Sequence, residues 1–122
     1  MTPAATIAGI GLRAAATTED LAEALAQALH APDALAVPAD KADHPALAPL
    51  AARLPLRAVP VHALALQKTD TNQTHAVARY GAGSVAEACA LAAAGPGARL
   101  IQPRIICAGG RVTLALATTG EI

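Results

Sequence analysis

The apolar residues of this chain form short runs that are separated by polar or proline-containing turns. Residues 4–10 make a mostly apolar run, and residues 34–37 make a second one. Uninterrupted apolar runs of this length are typical of strands buried on both faces, as in a parallel sheet. Residues 57–61 are a third strand candidate, and Pro60 places it at an edge or ends it early because proline cannot donate a ladder hydrogen bond. The first half of the chain therefore predicts a mainly parallel sheet.

Between these strands, the apolar residues recur at helical spacing. Residues 21–29 predict a helix with Thr17 as its N-cap and Pro32 as its end. The apolar residues between positions 47 and 54 fit a second helix. Pro49 interrupts that pattern, so this helix either kinks or starts late with the proline in its first turn.

Residues 81–95 form the segment around which the rest of the chain is organised, a glycine-rich loop that leads into a helix. Ser84 is the only serine of the chain and stands at the expected N-cap. Its hydroxyl is placed to accept a hydrogen bond from the backbone N–H of Glu87, and the Glu87 side chain to reach back to the N–H of Ser84. The open N–H groups of such a helix start attract anions. The segment predicts either a ligand at the helix start or an ordinary capped helix packed on a sheet.

The end of the chain predicts a hairpin. Residues 100–101 and 105–107, followed by residues 111–117, are β-rich and flank two glycines. The fold class is therefore α/β, a three-layer α/β/α arrangement with a mixed, mainly parallel sheet and a C-terminal β-hairpin, and residues 1–122 suit one domain. Residues 67–83 show no clear element and are interpreted as a mobile flap beside the pocket, with disorder as the alternative.

Composition narrows the classes of function. Nine basic and nine acidic residues leave a net charge near zero, and Tyr80 is the only aromatic residue. The chain therefore has no steering field and no stacking platform for nucleic acid. The first residues lack the basic and apolar regions of a signal peptide, and no apolar run reaches about 18 residues. These features predict a cytoplasmic protein that does not enter a membrane.

Cysteine and histidine usage gives no sign of a metal site or a cofactor. Cys89 and Cys107 lie inside apolar segments and are interpreted as small buried hydrophobic residues. The spacings of the four histidines do not match a zinc pattern. His44 is the histidine of most interest because it follows Asp43.

Ligands of open α/β sheets bind beyond the carboxyl ends of the strands. In the predicted sheet, four segments meet there: residues 9–13, residues 41–43, the flap and residues 81–84. They supply backbone amides, a helix start, two cations and one carboxylate, which suit a ligand that carries carboxylates or phosphates. The candidate ligand-binding residues are Gly9, Gly11, Arg13, Lys41, Asp43, Gly81, Gly83 and Ser84.

Two other interpretations of these segments stay open. Gly9, Gly11 and Ala14 match the dinucleotide fingerprint loosely, although the chain is short for a dinucleotide domain together with a substrate domain. Lys41 and Asp43 also fit an ordinary solvated turn.

Four motifs occur in order along the chain: IAGIGLR at residues 7–13, KAD at residues 41–43, GSVAEA at residues 83–88 and VTLA at residues 112–115. Together they resemble the CobE/CbiG C-terminal domain family of cobalamin (vitamin B12) biosynthesis proteins, over nearly the whole chain and in the stand-alone, CobE-like form. The resemblance implies an α/β/α domain that binds or processes a corrin-ring precursor, a precorrin-type intermediate. Such precursors carry acetate and propionate arms, for which the two cations and the helix start are suitable partners.

The resemblance leaves the catalytic role open. CbiG-type proteins are linked to opening the δ-lactone of cobalt-precorrin-5A with release of acetaldehyde. A lactone hydrolase of this kind would use Asp43 or Glu87 to activate water, with the helix start stabilising the oxyanion. A third hypothesis is a non-catalytic carrier that contacts other enzymes of the pathway, as a monomer or a homodimer.

Overall fold

The computed structural model describes residues 5–72 and 83–119, and over these residues one sheet of five strands forms the centre of the protein. The strands are β1 (Thr6–Leu12), β2 (Ala34–Pro38), β3 (Leu56–Val59), β4 (Arg99–Cys107) and β5 (Val112–Thr118). The α-helices of the described residues are α1 (Thr18–Ala26), α2 (Ala48–Ala51), α3 (Val61–Leu64) and α4 (Val85–Ala94). Short 3₁₀ turns occupy Ala39–Lys41, Pro45–Leu47 and Ala108–Gly110.

The spatial order of the strands is β3-β2-β1-β5-β4. β1 pairs in parallel with β2, and β2 pairs in parallel with β3. β5 lies antiparallel between β1 and β4, so it runs opposite to the other four strands. The predicted α/β class, the mixed and mainly parallel sheet and the C-terminal hairpin are confirmed.

The side chains of β1 alternate between two apolar layers. Ile10 packs in one cluster with Leu21 of α1 and Leu114 of β5. Ile7 points to the opposite face, where it packs in a second cluster with Cys89 of α4. This alternation, which follows from the pleat of a strand, produces the predicted three layers.

Both cysteines are free and buried, as interpreted from the sequence. Burial raises the pKa of the Cys89 thiol and of the Cys107 thiol, because a thiolate is poorly solvated in an apolar environment. The two side chains therefore behave as small apolar residues of the core.

Helix α4 lies unusually close to the sheet at Gly9. A Cβ at this position would overlap the carbonyl oxygen of Ala86 and would lie 2.6 Å from the backbone nitrogen of Ala90. Gly9 is buried, and its φ is not in the left-handed region. Its lack of a side chain therefore serves the close approach of helix and strand, not a special backbone conformation.

The end of the first helix and the extent of the first hairpin strand differ from the sequence predictions. Helix α1 starts after Thr17 as predicted but ends at Ala26, well before Pro32. Buried Gln102 explains the early end, because its side chain accepts from the N–H of Leu29 (2.9 Å) and donates to the carbonyl of Gln27 (3.2 Å). β4 is continuous through Pro103, and its register with β5 shifts on both sides of Gln102.

Two prolines set the bounds of a helix and a strand in the middle of the chain, as expected from the sequence. Pro49 stands in the first turn of the short helix α2, which is the late start that the sequence allowed. β3 is an edge strand and ends at Val59, directly before Pro60. Residues 73–82 of the predicted flap lie outside the described residues, and they include the candidate ligand-binding residue Gly81.

Candidate functional site

The loops that carry the predicted cations meet at the end of the sheet where β1, β2 and β3 finish, which we call the carboxyl end. β1 leads into Arg13, and β2 leads through the Ala39–Lys41 turn into Asp43. Helix α4 begins at the same end, because a Cβ at Gly11 would lie 3.8 Å from the Cβ of Val85. Arg13 and Asp43 are exposed, and Lys41 is half-buried.

His44 joins the Arg13 loop to the Lys41 loop. Its Nε2 lies 2.9 Å from the carbonyl oxygen of Arg13 and 3.2 Å from that of Ala14. We call these two hydrogen bonds the His44 link. On the other side of the ring, Nδ1 accepts from the N–H of Ala46 at 3.1 Å. The backbone N–H of His44 donates to the carbonyl oxygen of Lys41 at 3.0 Å, so one residue contacts both loops.

Little in the sequence indicated this arrangement. His44 stands next to Asp43 but has no ligand-type spacing to another histidine. The detectable signal is a polar side chain directly before Pro45 at the start of a 3₁₀ turn, where a side-chain acceptor caps the turn. The contact with Arg13 has no local signal, since 31 positions separate the two residues.

The hairpin tip supplies a further residue that sequence reasoning did not assign to the site. Arg111 binds Asp20 through two parallel hydrogen bonds, with Nε 2.8 Å from Oδ2 and Nη2 3.0 Å from Oδ1. Its carbonyl oxygen accepts from the N–H of Arg13 at 2.9 Å. The pair therefore fixes the start of α1, the hairpin tip and the Arg13 loop to one another.

Asp20 also completes the N-terminal cap of α1. Its Oδ2 accepts from the N–H of Thr17 at 3.0 Å, while Thr17 Oγ1 accepts from the N–H of Asp20 at 3.1 Å. The hydrogen bonds from Arg111, followed by the one from the Thr17 backbone, hold the pKa of Asp20 well below its usual range. The hydrogen bonds to Asp20 and its negative charge raise the pKa of Arg111.

The lowered pKa of Asp20 predicts an acid-dependent loss of stability. A carboxyl whose pKa falls on folding stabilises the protein above its unfolded pKa, about 3.9, and this stabilisation is lost as the pH falls toward the folded pKa. Asp20→Asn is therefore expected to lower the free energy of unfolding at neutral pH, with the difference from wild type narrowing below about pH 4. Urea unfolding across this pH range measures the effect.

The matched control for this substitution is Glu19→Gln, because Glu19 is an exposed acid in the same helical turn. It is expected to change stability little at neutral pH. A constant difference between wild type and Asp20→Asn from neutral to strongly acidic pH would contradict the role of the pair.

The start of α4 is capped as predicted but is covered. Ser84 is buried, and its Oγ accepts from the N–H of Glu87 at 3.3 Å. Gly83 is also buried: a Cβ there would lie 2.5 Å from the carbonyl oxygen of Thr71 and 2.7 Å from Thr69 Oγ1, and would overlap Asn72 Oδ1. The segment 69–72 therefore lies directly against the glycine that precedes the cap.

The side chain of Glu87 does not form the predicted second half of the capping box. It is fully buried, and its Oε1 accepts from the N–H of Thr71 at 2.8 Å. Its Oε2 accepts from Thr71 Oγ1 and from the N–H of Arg104, each at 2.8 Å. The carboxylate faces these donors because they come from two segments packed on α4, which the sequence near Ser84 does not reveal. Glu87 thus links α4, segment 69–72 and β4.

The two glycines of β1 lie in packed positions. Gly9 is covered by α4, as described above, and Gly11 is half-buried beside Thr113, whose Oγ1 a Cβ at Gly11 would overlap. The structure brings Arg13, Lys41 and Asp43 to accessible positions at the carboxyl end, whereas the glycines of β1 and Ser84 lie in or under the packed layers.

Residues 5–72 and 83–119 contain no group of three or more histidine, cysteine or acidic side chains that could hold a metal ion. Within the same residues, none of the helices has the length and apolar character needed to cross a membrane.

Comparison with known proteins gives consistent results. The family model described as "Cobalamin synthesis G C-terminus" matches residues 6–117. The crystal structure of CobE, a protein from the cobalamin (vitamin B12) biosynthetic pathway, is 32% identical with a TM-score of 0.79, covering 96% of this chain and 92% of that chain. The cobalamin biosynthesis protein chiG from Agrobacterium tumefaciens str. C58 is 38% identical with a TM-score of 0.71, covering 95% of this chain and 99% of that chain.

No curated protein sequence matches this chain. The family match and the two solved structures confirm the resemblance drawn from the four sequence motifs.

Proposed function

This chain belongs to the cobalamin synthesis G C-terminus family and is a protein of cobalamin biosynthesis, and from this premise we propose that it binds a corrin-ring precursor through the carboxylate arms of the ring. The binding surface is the carboxyl end of the sheet, where Arg13 and Lys41 stand on neighbouring loops. Acetate and propionate arms project from the rim of a corrin, so a flat ligand presents several carboxylates to a protein surface at once.

The observation that carries this proposal is the connection between the two loops that bear Arg13 and Lys41. His44 restricts the movement of one loop relative to the other, because its Nε2 bonds the Arg13 carbonyl and its backbone N–H bonds the Lys41 carbonyl. Two cations on joined loops bind two carboxylates of one rigid ring with a smaller loss of conformational entropy than two cations on loops that move independently. Arg13 adds a planar guanidinium that suits a carboxylate in two-point contact.

The position of Glu87 favours binding over a lactone hydrolase that relies on this residue. Of the two carboxylates that a hydrolase was predicted to use, Glu87 is fully buried and receives three hydrogen bonds within the fold. A general base must lie within reach of the water that it activates. The proposal therefore uses Asp43 only as part of the binding surface and gives Glu87 a structural role.

The test is a titration monitored by the visible absorbance of a corrin. The probe is cobyrinic acid, a corrin whose arms are free carboxylates, and its methyl ester is the uncharged comparison. Arg13→Ala combined with Lys41→Ala is expected to weaken cobyrinic acid binding by about tenfold, because each cation contributes a partly solvated ion pair. The ester is expected to bind weakly to wild type and to the double variant alike.

Arg53→Ala is the matched control, because Arg53 is an exposed cation that precedes β3 and therefore lies away from the carboxyl end. It is expected to leave the affinity unchanged. Equal affinity of wild type and the double variant for cobyrinic acid would refute the proposed site.

A further inference from the structure

We propose that His44 is a positioning residue for the corrin ligand. It acts through the His44 link, which holds the backbone of the Arg13 loop in a fixed position relative to the Lys41 turn. This inference rests on the proposed function and assigns a separate task to each nitrogen of one imidazole. Nε2 connects the two loops, and Nδ1 caps the Pro45–Leu47 turn that follows.

The partners of the ring determine its tautomer. A backbone N–H only donates, so Nδ1 must accept the hydrogen bond of Ala46 with its lone pair. The carbonyl oxygens of Arg13 and Ala14 only accept, so Nε2 must carry the proton. Both requirements are met by the neutral ring with its proton on Nε2, and both nitrogens are used within the fold.

The backbone around Arg13 shows what the link holds. The carbonyl oxygen of Arg13 also accepts from the N–H of Ala16 at 3.0 Å, and the N–H of Arg13 donates to Arg111 at 2.9 Å. The peptide groups on both sides of the exposed Arg13 side chain are therefore fixed, one by the hairpin tip and one by His44 together with Ala16. A fixed backbone holds the Cα from which the long, mobile Arg13 side chain extends, so less conformational entropy is lost when the side chain binds a ligand.

The charged groups of the two joined loops are Arg13, Asp40, Lys41 and Asp43, two cations and two acids. None of their side chains is needed for the link, which runs through backbone carbonyl oxygens on one loop and the imidazole on the other. His44 thus fixes the backbone positions from which the two cationic side chains extend and contributes no charge to the ligand, which distinguishes a positioning residue from a ligand-contacting one.

Two amide substitutions separate the tasks of the ring. Asparagine places its carbonyl oxygen near the position of Nδ1, so His44→Asn retains the cap on Ala46 and loses the His44 link. Glutamine extends its amide to the position of Nε2, so His44→Gln retains a donor for the Arg13 carbonyl and loses the cap. The pair is matched in chemistry and differs in which contact survives.

The titration with cobyrinic acid is expected to give opposite results for the two variants. His44→Asn weakens binding by about fivefold, and His44→Gln stays within about twofold of wild type, because only the latter keeps the loops joined. The thermal unfolding temperature follows the reverse order, since His44→Gln lacks the cap of the turn. This reversal is the result that a merely structural role for His44 would not produce.

The outcomes distinguish the two proposals. If wild type does not bind cobyrinic acid, the proposed function fails. If wild type binds and His44→Asn binds equally well, or if both variants lose affinity in proportion to their stability, only the role of His44 is overturned.

A measurement on wild type alone removes any dependence on variant folding. The ¹⁵N chemical shifts of the His44 ring in slightly alkaline buffer are expected to show a protonated Nε2, and a protonated Nδ1 would refute the link.

Discussion

Replacing Gly9 by alanine is expected to destabilise the folded chain by about 3 kcal/mol, the upper part of the range for overpacking a well-packed core. The added Cβ would overlap the carbonyl oxygen of Ala86 and crowd the backbone nitrogen of Ala90. Both obstacles are backbone atoms of α4, so they cannot move by a side-chain rotation. The helix would have to shift away from β1. Urea unfolding of the purified variant measures the loss.

Gly11→Ala is the matched control for this prediction, because Gly11 lies two residues further along the same face of β1. A Cβ at Gly11 would overlap Thr113 Oγ1, a side-chain atom that moves when χ1 rotates. The expected cost is therefore clearly smaller than at Gly9. Equal destabilisation by the two substitutions would show that backbone packing under α4 is not the reason for glycine at position 9.

Glu87→Ala is expected to lower the stability by a similar amount, about 3 kcal/mol, because it removes a fully buried carboxylate and leaves three partly buried donors without their acceptor. The backbone N–H groups of Thr71 and Arg104 and the hydroxyl of Thr71 all donate to this carboxylate. Unfolding in urea gives the overall loss, and amide hydrogen exchange at Thr71 and Arg104 shows where the structure loosens. Both amides are expected to exchange much faster in the variant.

Glu87→Gln tests whether the shape of the side chain is sufficient. A glutamine has one acceptor oxygen, and its NH₂ group would face a backbone N–H on either side of the carboxylate position. It is therefore expected to recover less than half of the loss. Glu19→Gln, at an exposed acid in the first turn of α1, serves as the control and is expected to be nearly neutral. Full stability of Glu87→Gln would contradict the proposed acceptor role.

These two residues also explain how the fold and the proposed site depend on each other. Gly9 lets α4 lie close to the sheet, which brings its first turn to the carboxyl end. Glu87 then attaches segment 69–72 to that turn, and Gly83 accommodates the same segment. Segment 69–72 therefore packs against the start of α4, and within the described residues the loops that follow β1 and β2 supply Arg13 and Lys41 as the accessible cations.

The parts of the structure that depend on local sequence were predictable. The apolar runs of β1 and β2, the caps at Thr17 and Ser84 and the glycines of the hairpin turn each act through residues within a few positions of one another. Local interactions of this kind are expressed in sequence spacing, which is why the strands, the helices and the α/β class could be read from the chain. The family resemblance came from the same segments.

The contacts that define the candidate site depend on residues far apart in the chain. Asp20 and Arg111 are separated by 91 positions, and His44 and Arg13 by 31. The capping pattern predicted that the Glu87 side chain would bond the N–H of Ser84, whereas in the folded chain it accepts three hydrogen bonds from Thr71 and from Arg104 of β4. The sequence by itself determined the elements and their capping, because those are short-range properties of the backbone. Only the tertiary structure decided which polar groups are hydrogen-bonded within the protein and which cations remain accessible, because the partners lie on segments that come together only when the chain folds.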